Sequence, residues 1–87
     1  MKFKDIRFSQ KNQFSIGIEE NSGKYFLSIP VSNSYVDYEE YYELTEEQFT
    51  DFNKNMELAL PFVKMCRNRQ NDSLIMQKPG KNRGFPT

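Results

Sequence analysis

The sequence predicts an α+β fold: an antiparallel meander of three to four strands with one kinked helix, or two helices, packed on one face. Three observations carry the prediction. Residues 13–31 alternate apolar and polar with a period of two on either side of an Asn/Gly turn, a helix-start signature stands at Thr45, and helical residues run from Phe49 to Cys66 with Pro61 inside them.

The elements follow in order. A first strand is expected at Lys2 to Phe8, with Ile6 and Phe8 as its apolar contribution. In Gln13 to Glu19, Phe14, Ile16 and Ile18 fall on one face; in Lys24 to Val31, Tyr25, Leu27, Ile29 and Val31 do the same. Glu20-Asn21-Ser22-Gly23 between them contains residues that tolerate a tight reversal, so the two runs form a β-hairpin. Ser32-Asn33-Ser34 reads as a second turn.

Tyr35 to Leu44 is ambiguous between strand and helix. Strand register places Val36, Tyr38, Tyr42 and Leu44 on one side and Tyr35, Asp37, Glu39, Tyr41 and Glu43 on the other, with Glu40 as the misfit. No comparable apolar stripe appears at helical spacing, and tyrosine favours strands, so a third meander strand is predicted.

Thr45-Glu46-Glu47-Gln48 is a capping box, with acids suited to the positive end of a helix. Phe49 and Phe52 then face the sheet. Pro61 cannot donate to the carbonyl four residues earlier, which predicts a break or kink between Asn53 and Pro61. Leu74-Ile75-Met76 can form a short last strand, and residues 78–87 read as a loop or extended C-terminal arm.

The chain has 87 residues, enough for a single domain over 1–87 that buries roughly 60–65% of its unfolded surface. Its one cysteine, Cys66, rules out an internal disulfide, and at a helical position among apolar residues it reads as core filling. Neither a signal-peptide pattern nor an apolar run of membrane-spanning length is present, so the expected location is cytoplasmic with no membrane partner.

Histidine is absent, which removes the commonest general base and metal ligand together. Ser-His-Asp, Cys-His and HExxH centres cannot be built, and one Cys without His cannot assemble a zinc site. Asp37, Glu39, Glu40 and Glu43 could supply carboxylate catalysis, but acids on a strand face are more simply a solvated surface. The chain is expected to be no enzyme, with no catalytic residue, no metal and no cofactor.

A net charge of zero conceals segregation. From Tyr25 to Asn53 there are seven acids (Asp37, Glu39, Glu40, Glu43, Glu46, Glu47, Asp51) and no Lys or Arg; from Val63 to Thr87 six bases (Lys64, Arg67, Arg69, Lys78, Lys81, Arg83) face Asp72 alone. Tyr35 to Glu43 interleaves tyrosines with acids, a composition suited to gripping a basic partner and repelling nucleic acid. The candidate partner-binding residues are Tyr35, Asp37, Tyr38, Glu39, Glu40, Tyr41 and Glu43. The alternative is a small nucleic-acid or ribosome-associated protein that grips phosphate through Lys78, Lys81 and Arg83.

The meander FSIGIEENSGKYFLSIPVSNSYVDYEEYYEL, one helical segment and the closing NDSLIMQKPGKNRGFP resemble small bacterial immunity proteins of toxin and immunity pairs, such as those of contact-dependent growth inhibition. The resemblance spans roughly residues 13–86. It implies stoichiometric inhibition of a cognate toxin domain, often a nuclease with a basic cleft, through the acidic tyrosine strip Asp37, Tyr38, Glu39, Glu40, Tyr41 and Glu43. The basic tail departs from an all-acidic nuclease mimic.

Overall fold

In a computed structural model, which describes residues 1–80 and 83–86, the chain folds as an antiparallel sheet with two short helices on one face. Four strands run in sequence order: β1 (Phe3–Ser9), β2 (Phe14–Glu19), β3 (Tyr25–Ser32) and β4 (Asp37–Leu44). A two-residue strand, β5 (Phe85–Pro86), pairs with β3 through Val31 and Ser32. The meander is the one predicted.

Register follows the period-two pattern. Ile16 lies opposite Leu27, which lies opposite Tyr42, and Tyr25 lies between Ile18 and Leu44. These positions share the face that the helices cover. There, Phe14, Ile16, Leu27, Ile29, Val31, Tyr42 and Leu44 meet Phe49, Phe52, Val63 and Cys66 in one buried cluster.

The β2–β3 turn is held by Glu19, a buried acid that the apolar pattern passes over. Its carboxylate accepts the main-chain N–H groups of Lys2 (2.7 Å), Asn21 (2.9 Å) and Ser22 (2.9 Å). These hydrogen bonds, the one from Lys2 foremost, hold its pKa down at about 2. One side chain thus fastens both the hairpin turn and the start of β1.

Helix α1 (Glu46–Lys54) begins with the predicted capping box: Thr45 Oγ1 accepts from Gln48 N at 3.1 Å and Gln48 Oε1 accepts from Thr45 N at 2.9 Å. It buries Phe49 and Phe52. The break falls at Asn55, whose side chain caps a 3₁₀ turn (Met56–Ala59), and α2 (Leu60–Arg67) follows with Pro61 in its first turn, where the missing N–H has no partner to lose. Two helices rather than one kinked helix result.

Two expectations need correction. Ile6 and Phe8 do not supply the apolar side of β1; both are exposed, and Phe3 packs instead. The reason is a register shift between Asp5 and Arg7, a bulge at Ile6 that the alternation of the sequence does not reveal. Leu74-Ile75-Met76 is no strand: Asp72–Leu74 is a 3₁₀ turn, Ile75 forms a single bridge to Tyr42, and Met76 N donates to Tyr41 O at 2.9 Å.

Candidate functional site

Strand β4 divides the tyrosine and acid segment between two faces. Tyr38, Glu40, Tyr42 and Leu44 point to the helix side, whereas Asp37, Glu39, Tyr41 and Glu43 point to the face that no helix covers. Tyr35 precedes the strand, 80% exposed at the tip of the β3–β4 turn. The seven candidate residues therefore form two groups and a tip.

The uncovered face is built around small residues on its central strands. Ser15, Gly17 and Ser28 leave room for large rings from the edges. Phe3 of β1 and Tyr41 of β4 lie stacked with centroids 3.6 Å apart, and Phe26 meets both edge-on at 5.4 and 5.0 Å. Phe26 is completely buried by this arrangement. An aromatic cluster results, bordered by carboxylates.

Those carboxylates differ in their partners. Glu43 lies 3.4 Å from Lys24, both well exposed, a pair that contributes little. Asp37 accepts from Ser32 Oγ, and Glu39 accepts from Ser28 Oγ at 3.3 Å. Neither has a cation within ion-pair distance among the described residues. Burial against the aromatic cluster pushes the Glu39 pKa up and Asp5 pushes it further, outweighing the Ser28 hydrogen bond. The same burial, with Glu39 and Asp5 nearby, raises Tyr41.

Asp5 was not among the sequence candidates. It joins Glu39 because β1 and β4 are the two outer strands of one face, a tertiary fact. Its position two residues after Phe3 carried the only signal.

On the helix side Glu40 leaves the exposed group. It is 4% exposed and is met by Arg83, whose Nε lies 2.8 Å from Oε2 and whose Nη2 lies 3.2 Å from Oε1. The buried Tyr42 hydroxyl donates to the same carboxylate at 2.7 Å. Burial, reinforced by that acceptor, drives the Tyr42 pKa far up, so the phenol stays a donor. The misfit in the strand pattern is therefore a buried acid with a partner 43 residues away.

Arg83 also reaches Asp72, with two contacts of 2.9 Å, and Asp72 is held below the usual carboxylate range chiefly by these bonds. Gly84 N donates to the Tyr38 hydroxyl at 2.7 Å, and Arg69 Nη2 donates to Gly84 O at 3.0 Å while its guanidinium stands over the Phe85 ring. A Cβ at Gly84 would overlap the carbonyl of Ser32, so only glycine lets the arm approach β3 this closely.

This fastening bears on the phosphate-gripping alternative. The N–H groups of Arg83 are directed into two carboxylates, and Arg67 donates to the carbonyls of Asn12 and Gln13 at 2.6 and 3.1 Å. Lys78 is exposed, and Lys81 lies outside the described residues. Lys78 and Gly80 border a cleft of ≈ 370 Å³ whose other wall is Tyr38, Glu39 and Tyr41. The acidic group and the basic segment meet there.

Among the described residues, no group of three or more Asp, Glu or Cys comes together to hold a metal ion. Cys66 is buried with its thiol raised to about 11, mainly by that burial, which keeps it protonated at neutral pH. No helix among the described residues is long and apolar enough to cross a membrane. Compared with protein families, with curated proteins and with solved structures, the chain matches none.

Proposed function

We propose that the protein is a non-enzymatic binding module that blocks a cognate toxin domain, as an immunity protein does, by docking a basic surface of that domain onto the uncovered sheet face. The observation that carries this reading is the state of Asp37, Glu39 and Asp5. Glu39 and Asp5 stand near the Phe3–Tyr41 ring pair and Asp37 further along β4 on the same face, and none of the three has a cation of the described residues within ion-pair distance.

Glu39 is the most telling of the three. The folded chain disfavours its ionised form, since burial and Asp5 both raise its pKa. A solvating surface gains nothing from such an acid, whereas a partner's Lys or Arg would supply the missing counter-charge and bury the aromatic cluster with it. Flat rings give contact area at low entropy cost, and the acids steer a basic partner into place. Glu40 and Tyr38 have no part in the docking surface; they hold the arm.

The test is protection. Cells producing the toxin domain encoded beside this protein should grow when the protein is co-expressed, and the two chains should co-purify. Asp37→Lys with Glu39→Lys should abolish both effects, while the matched reversal Asp51→Lys with Glu57→Lys, exposed on the helical segment across the sheet, should preserve them. Protection that survives the first pair of changes would reject this reading.

A further inference from the structure

Strand β1 is the one long strand whose outer edge no other described segment covers, because it pairs with β2 alone. Glu20 N donates to Lys2 O at 2.8 Å. By the alternation of an antiparallel ladder, the main-chain groups of Lys2 and Lys4 then face β2, and those of Phe3 and Asp5 turn outward. An extended segment laid alongside could pair with them.

The charge of this edge is mainly positive. Lys2, Lys4, Arg7 and Lys11 are all exposed, against Asp5 alone. Arg7 uses one guanidinium nitrogen to donate to Asn53 O, which fixes its stem beside the strand. Ile6 at the bulge and Phe8 beyond it stand 47% and 58% exposed, offering apolar contacts next to the bases.

Self-association fits this edge poorly. Antiparallel pairing with β1 of a second copy would set bases against bases. Pairing with the acidic β4 of a second copy meets Ile75 and Met76, which already occupy the outer side of that strand at Tyr42 and Tyr41. The lysines and the bulge are devices that keep an edge from joining its own kind. They leave one complementary occupant, a strand of opposite charge.

We propose that the outer edge of β1 is a docking site for an extended acidic segment of a partner protein, which adds to the sheet beside Phe3–Ser9. The site shares β1 with Phe3 and Asp5 of the uncovered face but uses the strand's outward main-chain groups rather than its side chains on that face, so the peptide test can fail or succeed whatever the toxin-protection test shows.

The test uses the full chain, isotope-labelled for amide detection, and two end-blocked peptides, one alternating Glu with Val and one alternating Lys with Val. The acidic peptide should shift the β1 amides, slow hydrogen exchange at Phe3 and Asp5, and lose affinity as salt rises; the basic peptide should do none of this. Asp5→Pro removes an outward N–H, which an edge strand tolerates, and should weaken the acidic peptide by about tenfold or more. On charge alone that substitution would strengthen it, so the loss identifies strand addition.

No shift in β1, equal binding of both peptides, or unchanged affinity in a folded Asp5→Pro variant would each overturn the proposal. So would oligouridine shifting the β1 amides where the acidic peptide does not. If Asp5→Pro fails to fold, Lys2→Glu with Lys4→Glu serves instead: loss of acidic-peptide binding upholds the site, and unchanged binding overturns it.

Discussion

Replacing Arg83 with Ala probes how the C-terminal arm is held. Arg83 is 18% exposed and Glu40 4%, so the substitution leaves a carboxylate inside the protein without its counter-charge. Breaking a buried ion pair from one side costs about 3–5 kcal/mol. Glu40 keeps the hydrogen bond from Tyr42, which favours the lower end of that range, and the exposed contact with Asp72 adds no more than about 1 kcal/mol. A loss of about 3 kcal/mol corresponds to a fall in Tm of roughly 12–24 °C for a domain of this size. Urea titration followed by circular dichroism would read it as a lower midpoint with an unchanged slope. The double variant Arg83→Ala with Glu40→Gln removes both charges and should recover most of the loss, giving a coupling of about 2 kcal/mol in a double-mutant cycle with the two single variants. A single-variant loss under about 1 kcal/mol, or single costs that simply add, would refute the buried-pair account.

Further outcomes follow from the same reasoning. Glu19 is held at about 2 in the folded chain against 4.5 ordinarily, so its contribution to stability is fully present above pH about 4.5 and is lost as pH falls toward about 2; Glu19→Gln should flatten the stability-versus-pH curve in that window, and an unchanged acid limb would contradict the assignment. Gly17→Ala would drive a Cβ into the Lys4 carbonyl and within 2.7 Å of Phe26 Cζ, so a loss of about 1–3 kcal/mol is expected in the same urea assay. Glu39→Gln should raise the thermal midpoint slightly at neutral pH, because the fold disfavours the ionised form it removes; a lowered midpoint would show that Glu39 is stabilised within the chain.

What was legible in the sequence was local. The hairpin needs only an alternation and a turn, and the capping box only Thr45 and Gln48 three residues apart; both have the expected geometry. The register of β4 could be read as well, down to Glu40 as the residue that did not fit. Its reason could not be read, because Arg83 lies at the far end of the chain in a stretch without periodicity. The bulge at Ile6 was invisible for a related reason: a register shift is fixed by how two strands meet, and it turned Ile6 and Phe8 outward despite their apolar character. The period of two in β4 already separates Tyr38 from Asp37 and Glu39, whereas Asp5 joins them from another strand, a meeting that no local pattern carries.

The association rate between this protein and its toxin domain, measured by stopped flow across a range of ionic strengths, tests most directly whether these acids act as the recognition surface. Native protein should associate fast at low salt and slow steeply as salt is added, and a chain carrying Asp37→Asn and Glu39→Gln should start slower and depend less on salt. Superimposable rates for the two chains at every ionic strength would contradict the account.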